Sequence, residues 1–338
     1  MERNQTRNLK SRPSRRRNDA SNLISSPFAA HVDLDLTNFA IEQMNAPSAF
    51  AADVIAPLAS VPDQGGKYVI FGEEILEDPG DVVRGPLAAP KELAHSLSRD
   101  TYQCEDHAAT FPYAREEEGA AKAIYSPEQR ATRHVMERVL RLKRELAVIA
   151  KVLVAGEYSA SNKLALEGGR KWSDPLNSDP IADVMGMAKA IALGCGFTPN
   201  RIVFGWDVLV ALKVHEEIKR RFVNVVGGAI GLEQIAQVFE IPTTLSSVRK
   251  KAAGTKTFVW PAGTIWIGYT SPTPSMEDVS FAKTFLWSGA PDTVGGIGVE
   301  RYDLYPPGRK GRAVDVHFWH SDVKITTKDA GALITGAI

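Results

Sequence analysis

The chain has 338 residues with 40 basic and 40 acidic side chains, so its formal net charge is zero and the whole molecule has no polyanion-binding character. An apolar content of 44% with 24% charged residues excludes a wholly disordered or fibrous chain, and the length admits one large domain or two smaller ones, each with a core. The sequence shows no signal peptide and no apolar run long enough to span a bilayer, and Cys104 and Cys195 make neither a disulfide framework nor a zinc set, which suits a reducing compartment.

Taken in order, residues 1–22 form a basic tail carrying Arg3, Arg7, Lys10, Arg12, Arg15, Arg16 and Arg17 against Glu2 and Asp19. Such a segment reads as solvated and unstructured, or as an arm held by nucleic acid or an acidic partner. Residues 33–62 show no sustained period; a short helix is expected near residues 46–55, with the rest an extended arm lying on something else. Lys67, Tyr68, Val69, Ile70 and Phe71 read as a strand behind Gly65 and Gly66, and Asp78-Pro-Gly-Asp81 is a turn. Residues 93–104 alternate like a half-exposed strand, so residues 67–104 make a long two-stranded excursion that needs a neighbour.

The clearest helix begins at Ser126-Pro-Glu-Gln129, an N-cap serine, a first-turn proline and a residue able to close a capping box. Its expected seam is Val135, Val139, Leu142, Leu146, Ile149 and Leu153 on an otherwise charged rod. After Gly168 and Gly169, Asp179-Pro180 caps a second helix bearing Ile181, Val184, Met185, Ala188 and Ile191, with Gly194 as its stop. A strand at residues 201–204, helices at 206–221 and 232–239, and strands at 243–249, 264–270 and on to 325 complete the reading. The order of arm, long helix, then mixed helices and strands is α+β, not the alternation of a doubly wound sheet.

Several passages then fall in a recognisable order. Lys171-Trp-Ser-Asp-Pro175 leads into Asp179-Pro-Ile-Ala-Asp183; Thr198-Pro-Asn-Arg-Ile-Val-Phe204 leads into residues 208–218 with His215. Leu232-Glu-Gln-Ile-Ala-Gln-Val-Phe-Glu-Ile241, Ile265-Trp-Ile-Gly-Tyr269, Ser271-Pro-Thr-Pro274 and residues 281–287 follow. Together they resemble the tailed-bacteriophage major capsid proteins of the Hong Kong 97 fold. The resemblance implies a basic tail and N-terminal arm (1–62), an extended loop or E-loop (63–110), and a peripheral domain (111–178) with a spine helix (126–155). It further implies an axial domain (179–300) and C-terminal strands (301–338) that return to these domains.

Function follows as expectation: a non-enzymatic subunit that closes into hexamers and pentamers of an icosahedral head around double-stranded DNA. Its partners would be itself, portal and scaffold proteins and a decoration protein, with assembly in the host cytoplasm and no membrane. Subunit contacts are expected at Phe28, Phe39, Phe50, Tyr68, Ile70, Phe71, Asp78 and Arg84, because extended segments expose edges and apolar groups that a monomer tolerates poorly. The seven basic residues of the tail would face DNA or scaffold. About sixty residues before the loop are too few for a fused scaffold, and the basic stretch 249–256 is expected to be a flexible loop. No lysine occurs between Asp78 and Pro90, which argues against a covalent crosslink through the loop.

Two other functions stay in view. One is an encapsulin-like nanocompartment shell; the other is a nucleic-acid-binding protein using its tail, against which the neutral folded part counts. Catalytic readings are poor. Cys104 and His107 sit close on a strand-like run, whereas dyads are assembled from distant segments. His317 and His320 lack a ligand set, and the glycine runs 227–231 and 295–298 lack the context of a phosphate loop. No cofactor or metal is expected.

Overall fold

The computed structural model describes residues 31–45, 50–70, 82–84, 86, 89–90, 98–117, 126–222, 230–304 and 311–338. The chain starts with β1 (His31–Val32), α1 (Leu34–Asn45), α2 (Ala51–Ile55), β2 (Leu58–Val61), β3 (Gly65–Ile70) and the long β4 (Ser98–Ala114). Asp33 caps α1 by accepting from the Leu36 amide at 3.1 Å. The four-residue spacing of Leu36, Ala40 and Met44 turns one face of α1 onto Val135, Met136 and Leu140. Residues 33–62, expected as an extended arm with one helix near 46–55, therefore carry an additional helix, α1, while α2 is confined to Ala51–Ile55. Residues 46–49 lie outside the described set.

The long helix comprises α3 (Pro127–Arg133), a π-helical segment (His134–Leu140) and α4 (Arg141–Val152). Ser126 caps it as expected, accepting from the Gln129 amide at 3.3 Å with Pro127 in the first turn. Its seam differs from the periodic reading. Val139, Leu142, Leu146 and Leu153 are only half-buried, while Met136, Leu140, Val148 and Val152 are fully buried beside Val135 and Ile149. The π segment adds a residue per turn and rotates the buried face, a shift that a constant 3.6-residue period cannot follow.

The second half continues with β5 (Lys163–Ala165), α5 (Pro180–Cys195), β6 (Arg201–Gly205), α6 (Trp206–Val214), α7 (Glu216–Arg221), α8 (Leu232–Phe239) and β7 (Thr243–Ser246). It ends with β8 (Arg249–Ala252), β9 (Thr255–Phe258), β10 (Ile265–Gly268), β11 (Ala282–Trp287), β12 (Ile297–Leu304), β13 (Gly311–Ile325) and β14 (Gly331–Thr335). Asp179 caps α5 by accepting from Ile181 and Ala182, and the helix stops at Gly196, whose φ of 75° lies in the left-handed region. The expected stop at Gly194 is thus two residues early. Helix 206–221 is divided at His215, whose extended backbone begins α7 while its ring accepts from the Glu217 amide.

The strands form a seven-stranded sheet with the path β1-β12-β13-β11-β2, onto which β4 and β3 are added, and a five-stranded sheet ordered β5-β14-β10-β6-β7. On the second, Phe204 of β6 and Ile267 of β10 share a core with Trp172, Val184 of α5, Leu212 of α6 and Phe239 of α8. Between the two sheets, Trp266, Phe281 and Leu333 meet α2 and α4 through Ala52, Val148 and Val152. Residues 249–256, expected as a flexible loop, instead form the β8–β9 hairpin, a separate two-stranded ribbon.

Candidate functional site

Three features stand out: an open strand edge, a buried charged lock within the chain and a bare apolar stripe. The first is β4. Cys104 to Ser321 begins its antiparallel pairing with β13, and residues 104–114 run along that strand, while residues 98–103 continue past it to pair with β3. Among the described residues, 105–114 have a strand partner on one side only, leaving an open edge in which Pro112 withholds an amide.

At the base of this hairpin the two strands clamp Phe285 of β11. Tyr102 and Tyr68 lie with ring centroids 4.5 and 5.3 Å from it, and the Tyr68 hydroxyl donates to Asp100 at 3.0 Å. Burial and the facing Asp100 carboxylate push the Tyr68 phenol well above its ordinary range. Cys104 is fully buried, its Sγ 3.5 Å from the Phe285 carbonyl, and burial raises its thiol to about 11, so it is an inert core group. A cleft of about 450 Å³ opens beside the hairpin, lined by Tyr68, Ile70, Asp100, Lys151 and Lys324 among others.

The second feature is a buried charged lock between the arm and the long helix. Glu145 of α4 accepts from the amides of Ala51 and Ala52 at 3.1 and 2.7 Å, serving as a remote cap for α2. Asp53 takes Arg141 at 2.5 Å and Arg144 at 2.6 Å, and Arg144 also donates to the Ala56 carbonyl. Arg141 donates to the Gln43 carbonyl at 2.9 Å, its guanidinium 4.6 Å above the Phe50 ring. Desolvation outweighs the two amide hydrogen bonds and lifts Glu145 to about 7.

The third is α6. Its sequence WDVLVALKV is apolar almost all round. Val208, Leu209 and Leu212 enter the core, whereas Trp206, Val210 and Val214, four residues apart, remain 46%, 48% and 52% exposed. A bare apolar stripe on a helix whose opposite face is already packed is a surface awaiting cover. Sequence reading missed it because all-round apolarity names no exposed side.

Of the expected contact residues, Tyr68 is 3% exposed within its own chain and Ile70 lines the cleft beside it. Phe39 is half-buried with the Arg133 guanidinium 5.5 Å over its ring, and Phe50 is half-buried under Arg141. Arg84 is exposed. Phe28, Phe71, Asp78 and all seven basic tail residues lie outside the described residues.

The residues weighed for chemistry have structural partners. His317 Nδ1 is 2.8 Å from Asp106, and His107 stacks on His320 with centroids 4.0 Å apart. His320 Nδ1 donates to the Ser321 carbonyl at 2.8 Å, and burial drives this imidazole down to about 3. Among the described residues no cluster of His, Cys, Asp and Glu could hold a metal ion, and no helix is long and apolar enough to cross a membrane.

With this geometry in place, comparison with known proteins is informative. Residues 154–302 match the family described as phage major capsid protein E. A major capsid protein of Pseudomonas phage JBD67 is 26% identical over 219 residues, 64% of this chain and 68% of that protein. The crystal structure of a phage-related protein from Bordetella bronchiseptica superposes with a TM-score of 0.72 at 25% identity, covering 91% of this chain and 98% of the other. The capsid of a native GTA particle gives 0.56 at 14% identity, covering 86% and 91%, a likeness of fold. The α+β fold is accordingly that of phage capsid subunits of the Hong Kong 97 type. Within that class its matches in sequence are to phage major capsid proteins, and the function they support is that of a shell-forming subunit assembled from many copies of itself.

Proposed function

We propose that this subunit closes into hexamers and pentamers of an icosahedral, tailed-phage head that encloses double-stranded DNA, without catalytic activity. The observation that carries the contact surface is the bare stripe Trp206, Val210 and Val214 on a helix already packed on its other face. Covering it with a second copy removes apolar surface from water and repeats by symmetry around a ring. In this reading residues 63–110 are the extended loop, 111–178 the peripheral domain and 179–300 the axial domain, with residues 301–338 returning to them. The open edge of β4 meets a neighbour, and so do Ile70, Arg84, Phe28, Phe71 and Asp78. Residues 1–22 face the interior, where seven basic side chains meet DNA or a scaffold. Portal, scaffold and decoration proteins are its further partners, and assembly takes place in the host cytoplasm.

Negative-stain electron microscopy of the purified chain, with sizing chromatography, tests the proposal. Closed shells or rings of five and six subunits are expected. A chain that stays monomeric with scaffold and portal supplied would overturn it. A nanocompartment shell has weaker support, because the matches in sequence are to phage capsid proteins.

A further inference from the structure

The β8–β9 ribbon has a charge problem of its own. Its strands pair Arg249 with Phe258, Lys250 with Thr257 and Lys251 with Lys256. Alternation puts Arg249, Lys251, Lys256 and Phe258 on one face and Lys250 on the other. All five are exposed, and residues 249–258 contain no acid. Among the described residues none of the four cations forms an ion pair. Lys251 directly opposite Lys256 is a like-charge pair that disfavours the very hairpin it sits in.

The ribbon is nevertheless a closed hairpin with a fixed base. Ala253 and Gly254, at φ 48° and 86°, make a two-residue turn of the kind that matches strand twist. The Val259 amide donates to the Val248 carbonyl at 2.9 Å, and Val259 and Trp260 root the base in the core beside Val148. An exposed cationic face with no ion-pair partner among the described residues is suited to docking an anion.

The same chain carries the complementary charge. Between Lys67 and Arg84 there are five acids, Glu73, Glu74, Glu77, Asp78 and Asp81, and no base. We propose that the β8–β9 ribbon of one subunit receives the acidic stretch 73–81 of a second copy, so that two oppositely charged elements of a neutral chain set the register between neighbours. The inference rests on the shell function above and names a charge contact within it. Apolar Phe258 beside the cations matches Ile75 and Leu76 within the acidic stretch. Complementary charge of this kind acts mainly on partner choice and encounter rate.

Charge reversal tests it. One variant carries Arg249→Glu, Lys250→Glu, Lys251→Glu and Lys256→Glu; the other carries Glu73→Lys, Glu74→Lys, Glu77→Lys and Asp78→Lys. Circular dichroism and thermal melting first show that each is folded like the parent. Each alone is expected to lose shell yield by at least about tenfold, since like charges then face each other across the contact. In a one-to-one mixture the two variants are expected to co-assemble into six-membered rings in which they alternate, an arrangement that a five-membered ring cannot complete, whereas combining both sets in one chain is expected to restore closed shells. Normal assembly of either single variant overturns the inference. So does rescue in the combined chain with no co-assembly of the two variants in the mixture, which would mark a contact within one subunit. A ribbon variant that assembles normally but retains less nucleic acid overturns it in favour of a polyanion site. Parent shells are the control: the shell function fails only if the parent makes none, whereas this inference fails while the parent assembles.

Discussion

Replacing Asp53 by Asn removes one negative charge while keeping the shape of the group that holds Arg141 and Arg144. Both guanidiniums are at most 3% exposed, and Asp53 is their paired carboxylate at 2.5 and 2.6 Å. Without it, two like charges stay buried one helical turn apart, left among the described residues with carbonyls, the Phe50 ring and the desolvated Glu145. Removing one partner of a buried ion pair costs about 3–5 kcal/mol. Unfolding entropy of roughly 2.1 cal/mol/K per residue converts each kcal/mol into about 1.4 °C for a chain of this length. The expected fall in melting temperature of the unassembled subunit is therefore roughly 4–7 °C. Differential scanning calorimetry of Asp53→Asn reads it directly, and Arg144→Met added to Asp53→Asn is expected to recover part of the loss by removing the stranded charge. A melting temperature within about 1 °C of the parent would refute the reasoning, because it would mean that water or relaxation already compensates the guanidiniums.

Two further predictions concern pH and one concerns assembly. His320 is depressed to about 3, so its contribution is full above about 6.5 and is lost as pH falls toward 3; about 3.5 units correspond to roughly 5 kcal/mol. Urea unfolding of His320→Asn is expected to be flatter than the parent across that window, and equal slopes would count against a buried neutral imidazole. Glu145 has the opposite sign: raised to about 7, it contributes fully below about 4.5 and loses roughly 3 kcal/mol as pH rises through 7. Glu145→Gln is expected to remove that downward slope. On α6, Val210→Glu places a carboxylate in the bare stripe; its melting temperature is expected to stay within about 2 °C of the parent while shell yield by light scattering drops at least about tenfold. Normal assembly would exclude the stripe from the subunit contact.

Local chemistry determined a good part of this protein from its sequence. Ser126 with Pro127, and Asp179 with Pro180, start helices because a cap needs only its own next few residues. Strand Arg201–Gly205 and helix Leu232–Phe239 follow from runs of apolar residues read at the right period. The order of those passages was enough to expect the α+β fold of a phage shell subunit.

Other features were decided only by tertiary contact. The π segment in the long helix turned Leu142 and Leu146 partly outward and brought Arg141, Arg144 and Glu145 inside, because the amides of Ala51 and Ala52 and the carboxylate of Asp53 arrive there from about 90 residues away. Tyr68 was expected at a subunit boundary; the structure places it on Phe285, more than 200 positions along the chain. The stripe on α6 became visible only when β6 and β7 had claimed its other side, since an all-round apolar helix leaves its exposed face to whatever packs first. Caps, turns and periods are written in neighbouring residues, whereas burial of a charge and exposure of an apolar face depend on partners that neighbouring residues cannot specify.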